Sequence, residues 1–240
     1  MEELEKMTVA SLVTENIKTA HVFKKYGIDF CCGGGVTIKK AAEKAKLDYK
    51  VLESELKNLN TSIAGNYDYN KWSLDFLVDH IIIIHHAFVI ENIPLVIAYA
   101  SRVVQVHSVN YPELIQIQRL FSELSIELSG HLKKEENIVF PYIKKLVEAA
   151  KEGTAPAKPD FDKIYNPIKI MEEDHEEAGA IFKRIAKLSN NYVPPPGACH
   201  TYRAFYSKLE EFEKDLHTHV HLENNILFPK AIALEKKLNR

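Results

Sequence analysis

Past residue 71 the apolar positions recur at three- and four-residue intervals over four long stretches. The pattern predicts helices from about Trp72 to Val106, Pro112 to Ala150, Phe161 to Leu188 and His200 to Leu238. KEGTAPAKPD and NNYVPPPGA break the chain between helices. Strand alternation is weak throughout, and even the run Ile81 to Ile84 continues into helical spacing. Pro94 removes one backbone donor inside the first helix and is expected to kink it. Four helices of this length, joined by turns, predict an all-α, up-down-up-down four-helix bundle.

Upstream, Met7 to Asn60 reads as three or four short helices. Thr8 is a candidate cap for the first, which carries Val9, Leu12, Val13, Ile17 and Phe23 on one side. Asp48 is a candidate cap for a helix through Val51, Leu52 and Leu56 that ends near Leu59. KYGIDFCCGGG is a break, because three consecutive glycines do not make a helix interior. The polar stretch NTSIAGNYDYN is the best boundary. The expected organisation is a small helical domain over 1–60, a linker over 61–70 and a bundle over 71–240.

Composition adds exclusions. With 31 basic against 33 acidic residues, nothing calls for nucleic acid or an anionic membrane as partner. The longest uninterrupted apolar run is Ile81 to Ile84, far short of the ~20 residues of a membrane span. MEELEKMTVA lacks the basic and apolar regions of a secretory signal. Three cysteines, two of them adjacent, make a poor disulfide framework. A cytoplasmic protein is expected. The 11 histidines change the picture, since most fall in groups: His80, His85 and His86; His131; His175; and His217, His219 and His221.

HLKKEENIVFP, from His131, and HVHLENNILFP, from His219, repeat one another, with Glu four residues and Pro ten residues after the His. Nearly the same offset separates His86 from His175, each on the helix before a repeat. Two helix pairs, each supplying a lone His and then His-x-x-x-Glu, account for both spacings. Side chains at i and i+4 share one helix face, so His131 with Glu135, and His219 with Glu223, can each grip a cation. His131 lies on a stripe with Leu124, Glu127, Ile138 and Tyr142, and His175 on one with Ile168, Met171, Phe182 and Ile185, so both are expected to point inward. Four imidazoles and two carboxylates in an apolar bundle are prohibitively costly uncompensated, and metal ions are the natural compensation. Nitrogen and carboxylate oxygen without thiolate suit iron, manganese or zinc. Six ligands exceed the four of a tetrahedral zinc. Two metals, each with two His, two bridging Glu oxygens and a shared oxo or hydroxo group, are five-coordinate and keep one position open for a small molecule. Iron is favoured because such sites recur in redox chemistry; manganese stays open.

Neighbouring groups are assigned by position. His85 shares a stripe with Val78, Ile81 and Phe88 and also suits an inward position, but His86 matches the repeat spacing better. His217 and His221 fall about 200° either side of His219 on the helical wheel and are expected to face solvent. Glu136 is off the face of Glu135, while Glu127, one turn before His131, is a candidate to support it.

DHIIIIHH, HLKKEENIVFP, MEEDHEEAG and HVHLENNILFP resemble the hemerythrin-like His/Glu domains. Together with YGIDFCCGGG, nearly the whole chain resembles the iron–sulfur cluster repair di-iron proteins. The resemblance implies a hemerythrin-like bundle with a small N-terminal helical domain. It implies the ligands His86, His131, Glu135, His175, His219 and Glu223, with both glutamates bridging two irons. Four histidines, rather than the five of oxygen-carrying hemerythrins, count against simple oxygen storage. The implied role is repair or protection of iron–sulfur clusters damaged by nitric oxide or peroxide, by supplying iron or removing nitric oxide. Partners would be proteins with damaged clusters and, as small ligands, nitric oxide or oxygen, with a homodimer left open. Cys31 and Cys32 are expected to assist as a redox or transfer pair, since a vicinal disulfide is strained and reducible. Lys24 and Lys25 are their nearest cations in sequence, and Cys199 is expected to be structural. Competing readings are a nitric oxide reductase or peroxidase, and an oxygen or nitric oxide sensor.

Overall fold

Threonine and aspartate caps set the N-terminal helices. In the computed structural model, which describes residues 2–59, 68–156 and 158–239, these are α1 (Glu2–Lys6), α2 (Val9–Glu15), α3 (Thr19–Lys25), α4 (Ile38–Lys44) and α5 (Tyr49–Asn58). Thr8 Oγ1 accepts the Ser11 N–H at 3.0 Å, Thr37 Oγ1 that of Lys40 at 3.4 Å, and Asp48 Oδ1 that of Lys50 at 2.9 Å. Thr8 and Thr37 also form a single β-bridge that ties the starts of α2 and α4 together. Thr8→Ala should therefore lower unfolding stability by about 1 kcal/mol, read from the midpoint of chemical denaturation with an unchanged slope. The boundary expected at residue 60 and most of the linker, 61–67, lie outside the described residues; Asp68 leads into a short turn, Tyr69–Lys71.

The bundle comprises α6 (Leu74–His107), α7 (113–152), α8 (Tyr165–Leu188) and α9 (200–238). Each packs on its chain neighbour, and α9 closes the ring on α6. Gly153, at φ 69°, ends α7 in the left-handed conformation that glycine adopts without strain. Pro94 does not end α6; it lies on the exposed side, where the carbonyl it leaves without a donor can be hydrated. By length and composition α6 could cross a bilayer, with a mean hydropathy of 2.0 over its most apolar 18 residues. Counting only uninterrupted apolar runs overlooks this. Here its inner stripe, including Leu77, Val78, Ile81, Val89, Val96 and Val103, is buried in the bundle.

Three of the four bundle helices contain one π turn: Ile81–His86, Glu135–Val139 and Glu223–Leu227. The repeated sequence explains two of them. The Phe140 N–H bonds the Glu135 carbonyl and the Phe228 N–H that of Glu223, each five residues back. Pro141 and Pro229 come next and have no N–H to offer, so the lost donor falls where the helical register is already displaced. The wider turn also shifts the stripe: Ile138, expected to point inward, is exposed.

The core forms two apolar halves. One holds Phe121, Leu124, Leu128, Phe182, Phe205 and Phe212 and continues into Val9, Phe23 and Leu52 of the N-terminal helices. The other holds Leu77, Ile81, Phe140, Ile143, Met171 and Phe228. On each bundle helix the passage from one half to the other occurs at or just past a histidine: His86, His131, His175 and His219. The fold therefore lays a polar layer across its own core.

Candidate metal centre

The six side chains singled out by spacing meet in that layer. Glu135 and Glu223 are fully buried, and His86, His131, His175 and His219 are each at most 3% exposed. Glu135 Oε2 lies 3.3 Å from His86 Nε2, and its Oε1 lies 3.3 Å from His131 Nε2. Glu223 mirrors this, with Oε1 3.0 Å from His219 Nε2 and Oε2 3.2 Å from His175 Nε2. Two overlapping sets result: His86, His219 and both glutamates; and His131, His175 and the same two glutamates. Within each set one donor atom per residue lies within 4.8 Å of the others. Each carboxylate thus turns one oxygen toward each set.

The donors fit cations better than they fit each other. Both oxygens of Glu135, Oε2 of Glu223 and Nε2 of His86 are buried without a hydrogen-bond partner. Burial opposes ionisation of Glu135, as does the Glu223 charge, yet the facing histidines hold its carboxyl below the usual range. Glu223 is likewise held down against burial, chiefly by His219 and His175. Burial also opposes the charged form of His131, but the Glu135 charge outweighs it and raises His131 to about 9. His86 is raised by the same balance, whereas His219 is lowered by burial. The layer concentrates negative charge and lone pairs on one point, which is what a bound cation requires.

Three of the four outward ring nitrogens are held as ligating histidines need, while Nδ1 of His219 is buried without a partner. His86 Nδ1 donates to Glu136 Oε1 at 2.7 Å, His131 Nδ1 to Asp174 Oδ2 at 3.1 Å, and His175 Nδ1 to Asn224 Oδ1 at 2.8 Å. These bonds leave Nε2 as the inward atom in each ring. Phe140 and Phe228, from the repeated Phe-Pro pairs, stack on His86 and His175 at 5.5 and 6.2 Å. Two of these supports were not assigned by the sequence reading, which left an inward position open for His85. Glu127 is exposed and does not support His131; Asp174 does. Glu136, placed off the face of Glu135 and given no role, reaches His86. His85 turns inward too, beside His86 in the π turn, with Nδ1 2.9 Å from Asp215 and its ring parallel to His219 at 5.6 Å.

The chain matches the family model described as the hemerythrin HHE cation-binding domain over residues 77–231. It is 37% identical over 218 residues to the "Iron-sulfur cluster repair protein YtfE" of Escherichia coli O157:H7, covering 91% of this chain and 93% of that protein. The protein of the same name from Shigella boydii serotype 4 is 36% identical over the same shares. This chain belongs to the YtfE family of iron–sulfur cluster repair proteins. Residues 5–60 match a second model, ScdA_N, described as a domain of unknown function.

In this member of the family the ScdA_N segment carries the cysteines. Cys31 is buried and Cys32 half-buried; both are free thiols, with sulfurs 3.8 Å apart. Asp29 organises the turn: its Oδ1 accepts the amides of Cys31 and Cys32 at 3.1 Å and of Gly33 at 3.2 Å. Its Oδ2 binds Lys183 of α8 at 2.8 Å, so a cation from the bundle pairs with this turn, while Lys24 and Lys25 pair with Glu213 and Glu55. The turn is tight: a Cβ on Gly34 would stand 2.5 Å from the Phe30 carbonyl. The hydrogen bond to Cys32 comes first, then burial, in raising the Cys31 thiol well above its ordinary range.

The turn packs on α8 and α9. Asn225 Nδ2 donates to the Cys31 carbonyl at 3.1 Å, and Lys24 pairs with Glu213 at 2.6 Å. A cavity of about 280 Å³ has Cys31, Cys32 and Asp29 on one wall and His175, His217 and Lys183 on the other. This packing corrects the expectation for His217 and His221. The ring of Phe30 covers both, at 5.8 and 5.9 Å, and His221 is fully buried. Burial lowers His221 to about 4. The wheel turned both away from the bundle axis, but the N-terminal turn occupies that face. Cys199, expected to be structural, is exposed, with Sγ 3.2 Å from His107 Nε2.

Proposed function

We propose that this chain is a di-iron protein that repairs or protects iron–sulfur clusters damaged by nitrosative and oxidative stress. The supporting observation is the straddling geometry of Glu135 and Glu223, each presenting one oxygen to either histidine pair. Two irons would be held by His86 and His219 and by His131 and His175, with both carboxylates shared. When bound, such a centre supplies iron itself and redox chemistry toward nitric oxide or oxygen. The protein's own part is to fix the ligand nitrogens through Glu136, Asp174 and Asn224, and to keep the layer dry between two apolar halves. Cys31 and Cys32, across a cavity from His175, would serve as a transfer or redox pair toward proteins with damaged clusters. We place the work in the cytoplasm.

Adding iron-loaded protein to a cluster enzyme inactivated by nitric oxide should restore that enzyme's activity. Failure of restoration, with steady consumption of nitric oxide in the presence of a reductant, would replace repair by a reductase reading. Stoichiometry offers a second check. Iron-replete protein should contain two ions per chain and show near-ultraviolet oxo-to-iron charge-transfer absorption. One tightly bound, uncoupled ion would defeat the bridged arrangement.

A further inference from the structure

Between the single tryptophan of the chain and the metal layer, one ring touches the next. Trp72 is half-buried just ahead of α6, with the rings of Tyr69 and Phe76 each 4.7 Å from it. It meets His80 edge-on at 5.0 Å, His80 meets His85 edge-on at 5.7 Å, and His85 lies parallel to His219 at 5.6 Å. Residues five apart stand about 140° from each other on a regular α-helix. The wider π turn over Ile81–His86 draws His80 and His85 onto one side, and Asp215 fixes the His85 ring at 2.9 Å. Seating the start of α6 would account for Tyr69, Trp72 and Phe76. It would not require rings at His80 and His85 that carry the contact on to a ligand.

We propose that this ladder carries single electrons between the surface at Trp72 and the metal centre. The inference rests on the reading of His219 as an iron ligand. Electron tunnelling weakens steeply with every gap between donor and acceptor, and rings in edge or face contact keep each gap short. Phe140 and Phe228 touch ligand rings too, but both are buried, whereas Trp72 is partly exposed. An electron given at Trp72 by a one-electron carrier leaves that carrier oxidised and one ferric ion ferrous. The rings return to their starting state, and no bond is made or broken. In the other direction an electron leaves a ferrous ion and fills a hole on Trp72. Indole is more easily oxidised than imidazole, so Trp72 is the ring of the ladder on which such a hole rests.

Pulse radiolysis of the full chain with azide, whose radical oxidises indole by one electron, tests this. The tryptophan radical absorbs in the visible and can arise only at Trp72. Its lifetime should be several-fold shorter in ferrous-loaded protein than in metal-free or zinc-loaded protein. Zinc accepts nitrogen and carboxylate ligands but has no electron to give. The near-ultraviolet ferric absorption should grow with the same time course. His80→Leu should keep its iron yet return the lifetime to the zinc value, while His80→Phe, which retains a ring, should keep much of the acceleration. Equal lifetimes in ferrous- and zinc-loaded chains would overturn the ladder, and that comparison needs no variant. Undiminished acceleration in His80→Leu would overturn it as well. Either result, in a chain that has loaded its iron, leaves the repair reading standing. A chain that loads no iron would overturn both.

Discussion

Glu135→Ala and Glu223→Ala should each strip metal from both positions of the centre. Each carboxylate contributes one oxygen to the His86–His219 side and the other to the His131–His175 side, at 3.0 to 3.3 Å from the ring nitrogens. In the proposed bridged arrangement, removing either would therefore take a ligand from both cations at once. Supports outside the ligand set cost roughly 10- to 100-fold in metal affinity when removed, and a shared ligand should cost more. The chain should stay folded, because the substitution deletes a buried carboxylate whose oxygens are poorly satisfied by protein groups. Iron content and the optical spectrum of each variant provide the check. A variant that loses one ion cleanly and keeps the other with its spectrum intact would show terminal ligation.

Cys31→Ala/Cys32→Ala should keep both irons and their spectrum, yet lose most of the repair activity. Neither thiol is within the metal layer, and the pair approaches it through the cavity beside His175 and the Asn224 amide. Cys31 is held as a thiol by its contact with Cys32 and by burial. Cys32, less buried, is the better placed of the two to exchange with a client, so Cys32→Ala alone should account for most of the loss. Full restoration of a damaged enzyme by the double variant would reduce the turn to a structural element. The bundle would then be the sole working part.

The His-x-x-x-Glu repeat was readable because residues four apart share a helix face however the ends are arranged, and the four bundle helices followed from periodicity for the same reason. What escaped was set by departures from the ideal helix. Ile138 was misplaced and the reach of Glu136 to His86 went unread because a constant 100° step does not hold through a π turn, although the paired Glu-x-x-x-x-Phe-Pro sequences carry its signal. His217 and His221 were misplaced for another reason. Their wheel positions are outward relative to the bundle, and only tertiary packing reveals that Phe30 lies there. Asp174 and Asn224 adjoin ligands in sequence, but their roles depend on the neighbouring helix.

The polar layer across the core also has a charge balance of its own. The carboxylates of Glu135 and Glu223 are held toward their ionised forms, and His131 and His86 toward their protonated forms. Cations and protons are thus alternative occupants of one buried electrostatic well. Metal release from this layer should take up protons from solution, and metal binding should expel them. Acid should therefore favour the emptied form and alkali the loaded one, so local acidity would bias how fully the layer is loaded.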